Sequence, residues 1–228
     1  MEANLFTFRG IFGVPVEVRQ SAGLLFLMMV TFSVIQGGGL LNTAIIFSAL
    51  FIAVYLHELG HAWGARVQGL RVKGIVIHAG GGWCEHERGP EASEELVVAM
   101  GPIVNLALWA ICAIAVKWLY HKGLGDPEWV PTAMSLIPWL GFFAMLNLFL
   151  FCYNMVPVQP LDGGKLIRIW LRRLMPAAKA SRVAGTIGVV FCVLWFPGLL
   201  LVFLTTGWLL FFVPSLALHR AMMRGEIR

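Results

Sequence analysis

The chain has 228 residues, 59% of them hydrophobic and only 13% charged, with a formal net charge of +5. Its mean hydropathy is +0.80, whereas a soluble domain is roughly half apolar and about a quarter charged. A water-soluble fold cannot cover that much apolar surface, so the composition excludes an ordinary soluble protein and points to an integral membrane one.

In residues 5–20, Val14, Val16 and Val18 alternate with Pro15, Glu17 and Arg19. That period of two predicts a strand or hairpin over about 1–21, lying at the membrane surface. Ala22 to Ile35 is a short apolar first span, ended by Gly37-Gly38-Gly39. The opening Met-Glu-Ala-Asn lacks a basic segment, and apolar runs recur to the end, so a cleaved leader is not expected. The second span runs over about 40–65. A polar stretch, 66–95, follows; Arg71 to His78 alternates weakly and reads as a strand, with Gly80-Gly81-Gly82 breaking it. The third span covers about 96–119 and opens with Gly101-Pro102-Ile103-Val104-Asn105, where small residues permit close helix packing. The fourth covers about 134–155.

Two prolines and two glycines then break the chain in Asn154-Met-Val-Pro157-Val-Gln-Pro160-Leu-Asp162-Gly163-Gly164. The last apolar block, Val183 to Leu218, exceeds one span of about 20 residues. It is read as two, 183–204 and 207–218. The expected fold is therefore one all-α polytopic membrane domain over 1–228, with about six transmembrane helices and small membrane-associated β-elements near the cytoplasmic face.

With a cytoplasmic N-terminus and six spans, fifteen of the 17 Lys and Arg residues fall on the cytoplasmic side, and only Lys117 and Lys122 on the other. The positive charge is thus a topology signal, and no nucleic-acid partner is expected. Both termini are placed in the cytoplasm. The four cysteines form no Cys-x-x-Cys pair and read as free thiols, three of them within apolar runs.

Within the second span lies His57-Glu58-Leu59-Gly60-His61. Two histidines four apart share one helix face, so both imidazoles can reach one metal ion. Glu58 is then placed to act on a water at that ion, the pattern of a zinc hydrolase with a glutamate general base. The plainer alternative is a hydrogen-bonded polar cluster that packs helices, but two His and a Glu in lipid are costly unless paired or metal-bound. The predicted topology brings Asn105 and Asp162 to the same depth and face as the histidines. Asp162, in a glycine-flanked break, is the best third ligand; taken alone it would read as a turn residue. Asn105 and Asn154 carry two readings: interhelical hydrogen bonding, or orienting a ligand and donating to a substrate oxyanion. His78, Cys84 and His86 have irregular spacing and read as chance neighbours rather than a second metal site. His121 and His219 read as interfacial.

The three motifs His57-Glu58-Leu59-Gly60-His61, Gly101-Pro102-Ile103-Val104-Asn105 and Asn154-x-x-Pro157-x-x-Pro160-Leu161-Asp162-Gly163 resemble, in this order, the signatures of the site-2 protease family of intramembrane metalloproteases. The resemblance covers about residues 50–165 by motif. It implies one zinc ion on His57, His61 and Asp162, Glu58 as catalytic base, and transmembrane segments of other proteins as substrates. It also implies β-elements near the active site and, together with the compact chain, a prokaryotic plasma membrane. No stretch is long or polar enough for the PDZ or CBS domain that many members carry, so a minimal member is expected. A membrane zinc peptidase acting on prenylated or soluble peptides is the weaker enzyme reading, since no later helix offers a glutamate ligand. A non-proteolytic metal-binding or transport protein is the other alternative. Transport predicts ionisable residues along several spans, whereas here they cluster at one end.

Overall fold

The computed structural model describes residues 2–206 and 213–227. The chain divides into two units, one of residues 1–89 with 100–151 and the other of residues 90–99 with 152–228.

The first unit begins with β1 (Asn4–Arg9) and β2 (Pro15–Arg19), an antiparallel hairpin closed by Gly10 to Val14. α1 (Gln20–Ile35) and α2 (Leu40–Arg66) follow, then β3 (Val72–His78) and β4 (Gly81–His86), a second antiparallel hairpin. β2 pairs with β3 in parallel, through Val16 and Ile75, so the four strands form one sheet in the order β1-β2-β3-β4. A parallel pair needs a long crossover, and α1 with α2 supplies it. The alternation expected at Val14, Val16 and Val18 is present: all three are buried while Pro15 is exposed. Val14 and Val16 pack with Ile75, Ile77 and Ala62, which seats the sheet on the later half of α2.

The hairpin tip is fastened to α2 on both sides of the histidine motif. Tyr55 Oη accepts from the Ile11 N–H at 2.9 Å, and Arg66 Nη1 donates to the Phe12 carbonyl at 2.9 Å. Gly10 leaves room for the tyrosine, since a Cβ there would lie 2.5 Å from its hydroxyl oxygen. The first unit also holds most of α3 (Glu91–Gly125) and α4 (Val130–Asn154). Pro102 and Pro138 both lie inside continuous helix, so neither ends its segment. The Gly101-Pro102 pair thus serves close packing rather than a helix break.

The second unit contains the first turns of α3 and α5 (Asp162–Leu174), α6 (Ala177–Thr206) and α7 (Leu216–Arg224). α5 is amphipathic and basic, but part of its charge is paired: Arg172 meets Glu91, and Arg173 meets Glu95, which also accepts from Trp170 Nε1 at 2.7 Å. α6 passes through Pro197 without interruption.

Among the described residues, four helices are long and apolar enough to cross a membrane: 40–66, 91–125, 127–154 and 177–201. α1 is apolar but has only 16 residues. The expected count of about six therefore stands at four long spans with one shorter apolar helix. Half of the proposed last span, 207–218, lies outside the described residues, and its final residues, from Leu216, open α7. Consistent with a lipid-facing exterior, large apolar side chains such as Ile111, Ile114, Met134, Met145 and Leu194 point outward.

Candidate metal centre

α2 carries its chemistry on its buried face. His57, Glu58 and His61 are 5%, 4% and 7% exposed. The imidazoles of His57 and His61 stand edge to face, with their Nε2 atoms 3.1 Å apart. Two nitrogens bound to one tetrahedral zinc at about 2.0–2.1 Å would lie about 3.3 Å apart, so the pair is spaced for one ion. The same spacing would also suit an N–H···N bond between the rings, and the surroundings discriminate between the two.

Three glycines shape those surroundings. At Gly60 a Cβ would lie 2.6 Å from the Met100 carbonyl oxygen, so α2 and α3 meet backbone to backbone. At Gly101, one residue along α3, a Cβ would lie 2.4 Å from His61 Nε2 and 2.7 Å from His57 Nε2. The two Nε2 atoms therefore look onto a position that Gly101 keeps free of a Cβ. At Gly82 of β4 a Cβ would lie 2.7 Å from Glu58 Cγ. Glu58 Oε2 is buried with no hydrogen-bond partner among the described residues. A buried carboxylate oxygen left unpaired is expensive. A cluster serving only to pack helices would fill such a space and pair such an atom. A metal ion and its water fit both features.

Behind the histidines lies a polar relay. His57 Nδ1 meets Asn105 Oδ1 at 2.5 Å. Asn105 Nδ2 donates to Asn147 Oδ1 at 2.8 Å, and Asn147 Nδ2 donates to the Phe143 carbonyl at 2.8 Å. Asn105 and Asn147 are fully buried. Asn105 thus sits beside a candidate ligand, whereas Asn147 escaped the sequence reading. It lies in a featureless apolar run, and a lone asparagine there carries no local signal.

His78, at the end of β3, meets Trp83 at a tilt of 53°, with ring centroids 5.2 Å apart. Burial holds its imidazole below the ordinary histidine range, partly offset by the charges of Glu2 and Glu58, with Arg19 adding to the depression. His78 pairs across the hairpin with Gly81, and His86 pairs with Val72 at the other end. The two therefore do not meet in a second metal site.

In the second unit, Asp162 is the first residue of α5 and is 3% exposed. Lys165 Nζ lies 3.1 Å from its Oδ1. The Gly163-Gly164 pair lets the start of α5 press on the preceding loop: Cβ atoms there would lie 2.2 Å from the Met155 carbonyl oxygen and 2.5 Å from the Val158 carbonyl carbon. That loop is pinned from α7. The Gln159 N–H donates to His219 Nε2 at 3.0 Å, and His219 Nδ1 donates to the Ser215 carbonyl at 2.8 Å. His219 is 1% exposed, enclosed by the protein rather than standing on its surface. Gly188 on α6 admits the ring, since a Cβ there would overlap His219 Cδ2. Asn154 ends α4, partly buried. His121 is exposed.

Comparison with known proteins identifies the class. Residues 122–195, which include Asn154 and Asp162, match Peptidase family M50. The chain is 26% identical over 178 residues to a zinc metalloprotease of Methanocaldococcus jannaschii, covering 78% of this chain and 49% of that protein. It is 29% identical over 170 residues to stage IV sporulation protein FB of Bacillus subtilis, covering 72% and 50%. Residues 122–195 thus carry a peptidase family M50 domain, the domain of the site-2 proteases, and the four long apolar helices make the chain an integral membrane protein. Its fold is that of the site-2 protease from Methanocaldococcus jannaschii, with a TM-score of 0.64 at 22% identity over 99% of this chain and 93% of that one. The chain spans about half the length of the curated relatives it matches.

Proposed function

We propose that this protein is an intramembrane zinc metalloprotease that hydrolyses peptide bonds in or near transmembrane segments of other membrane proteins. The observation that carries the reading is the approach of His57 and His61 Nε2 to 3.1 Å at a position that Gly101 keeps free of a Cβ, on the same helix as a buried Glu58 oxygen with no hydrogen-bond partner among the described residues. His57, His61 and Asp162, all buried, are the proposed ligands of one zinc ion. Zinc in such a set lowers the pKa of its bound water to about 7 and polarises a carbonyl.

The chain's own residues do the rest. Glu58 Oε2 takes the proton of the attacking water and passes it to the leaving amine nitrogen. Burial of Glu58 keeps competing solvent from that oxygen. Asn154, at the end of α4, is proposed to donate to the oxyanion that develops on the substrate carbonyl, and Asn105 to orient His57. A helical substrate hides its amides and must unwind before cleavage. An extended segment added to a sheet edge would present them. β3 is internal to the sheet, so the available edges are β1 and β4. β4 is the one that touches Glu58, through Gly82. The basic residues support cytoplasmic termini, with the active site towards the cytoplasmic face of a prokaryotic plasma membrane.

The test uses purified protein and a membrane-spanning reporter. Glu58→Gln is expected to retain zinc and lose cleavage, and Asp162→Ala to lose both. Cleavage by Glu58→Gln would sink the general-base assignment. Equal zinc content in Asp162→Ala would remove Asp162 from the ligand set.

A further inference from the structure

The relay behind His57 has only one consistent polarity, and its origin is a backbone group. The Phe143 carbonyl can only accept, so the Asn147 atom facing it must be the NH₂ group. Asn147 therefore turns its Oδ1 to Asn105, which must present its own NH₂ group there. The Asn105 oxygen is left facing His57 Nδ1, and an amide oxygen can only accept, so His57 must carry its proton on Nδ1. A neutral imidazole with Nδ1–H has a bare lone pair on Nε2. That is the atom that points at His61 and at the space cleared by Gly101.

The opposite setting fails at one place. If Asn105 were reversed, its NH₂ group would donate to Nδ1 and force the proton to Nε2, where it would block a ligand. Asn147 would then have to reverse as well, setting its oxygen against the Phe143 carbonyl with two acceptors opposed. Both asparagines are fully buried, so no solvent can relieve that conflict. We propose that Asn147 is a positioning residue: through Asn105 it transmits the polarity of the Phe143 carbonyl to His57 and holds the tautomer whose Nε2 can bind a metal. The value of this to zinc binding rests on the zinc reading given above, but the tautomer itself does not.

The tautomer is read on zinc-free protein, ¹⁵N-labelled at histidine, in detergent. Ring-nitrogen shifts distinguish a protonated from a bare nitrogen, and comparison with His57→Gln assigns the signal. Wild type is expected to show Nδ1–H and a bare Nε2 on His57. Asn147→Leu, which keeps the branched outline but has no donor or acceptor, is expected to mix the tautomers and to weaken zinc binding by about 10–100-fold. Asn147→Ser is expected to recover much of both, because a hydroxyl can donate to the carbonyl four residues back and still accept from Asn105. A His57 protonated on Nε2 in wild type overturns the proposal whether or not the variants fold. So does a folded Asn147→Leu with wild-type tautomer and affinity. A wild type that holds Nδ1–H on His57 yet binds no zinc supports the relay and overturns the zinc reading alone.

Discussion

A single methyl group at position 101 tests the geometry of the metal centre. In Gly101→Ala the new Cβ would lie 2.4 Å from His61 Nε2, 2.5 Å from its Cε1 and 2.7 Å from His57 Nε2. Carbon and nitrogen atoms in contact sit about 3.5 Å apart, so each imidazole must retreat by about 1 Å. Metal–ligand distances tolerate only about ±0.2 Å. The displaced rings therefore cannot both bind one ion at normal length, and His57 can retreat only by breaking its bond to Asn105. We expect zinc affinity, measured by competition with a chromogenic chelator, to fall at least about 100-fold, or about 2.8 kcal/mol. Overpacking should cost a further about 1–3 kcal/mol of stability in thermal unfolding. Gly141→Ala is the control, because nothing lies within 4 Å of its Cβ position. It should keep zinc and gain about 0.5–1 kcal/mol from the better helix former. A folded Gly101→Ala with wild-type zinc affinity would refute the assignment of the glycine-cleared space to a metal.

Gly82→Ala would press on the Glu58 side chain, whose Cγ, Oε1 and Cδ are the atoms nearest the new Cβ. Zinc affinity should stay within a few-fold of wild type while kcat drops about 10²-fold or more, the scale of a misplaced catalytic group; an unchanged kcat would separate β4 from the reaction. His219→Ala would leave a cavity and orphan the Gln159 N–H, costing about 2–5 kcal/mol. Its thermal unfolding and the protease sensitivity of residues 155–162 report this, and wild-type values in both would show that α7 does not hold the loop. For His78 the folded protein favours the neutral ring, so its contribution to stability is complete above the ordinary value of 6.5 and is lost as pH falls through the lowered folded value. An NMR titration with an apparent pKa at or above 6.5 would contradict this. His78→Gln should flatten the acid limb of the stability profile.

Much of the centre is local, and so it is legible in the chain. The spacing of four between His57 and His61 puts both rings on one helix face whatever surrounds them. The alternation of Val14, Val16 and Val18 marks which side of β2 is buried, because side chains alternate strictly along a strand. The unbroken apolar runs mark membrane helices, since only a lipid exterior leaves so much apolar surface uncovered. Local signals are weaker at boundaries. α3, α4 and α6 run on through Pro102, Pro138 and Pro197, although proline inside a helix removes one of its hydrogen bonds. In a membrane helix, neighbouring groups can satisfy the carbonyl that a proline leaves unpaired.

The order of residues sets the chemistry present: two imidazoles and a carboxylate in register on one apolar helix, with an aspartate and asparagines in later motifs. What that chemistry meets depends on how the elements pack. Gly82 reaches Glu58 because β4 pairs with β3 and lies on α2. Asn147 reaches Asn105 across 42 residues and Asn105 reaches His57 across 48, while His219 meets Gln159 across 60. Such contacts leave no periodic trace, because helix and strand patterns encode only which face of an element is buried. Which side chain waits on the other side is settled when the elements pack, and there a single buried asparagine or a missing Cβ carries as much weight as a motif.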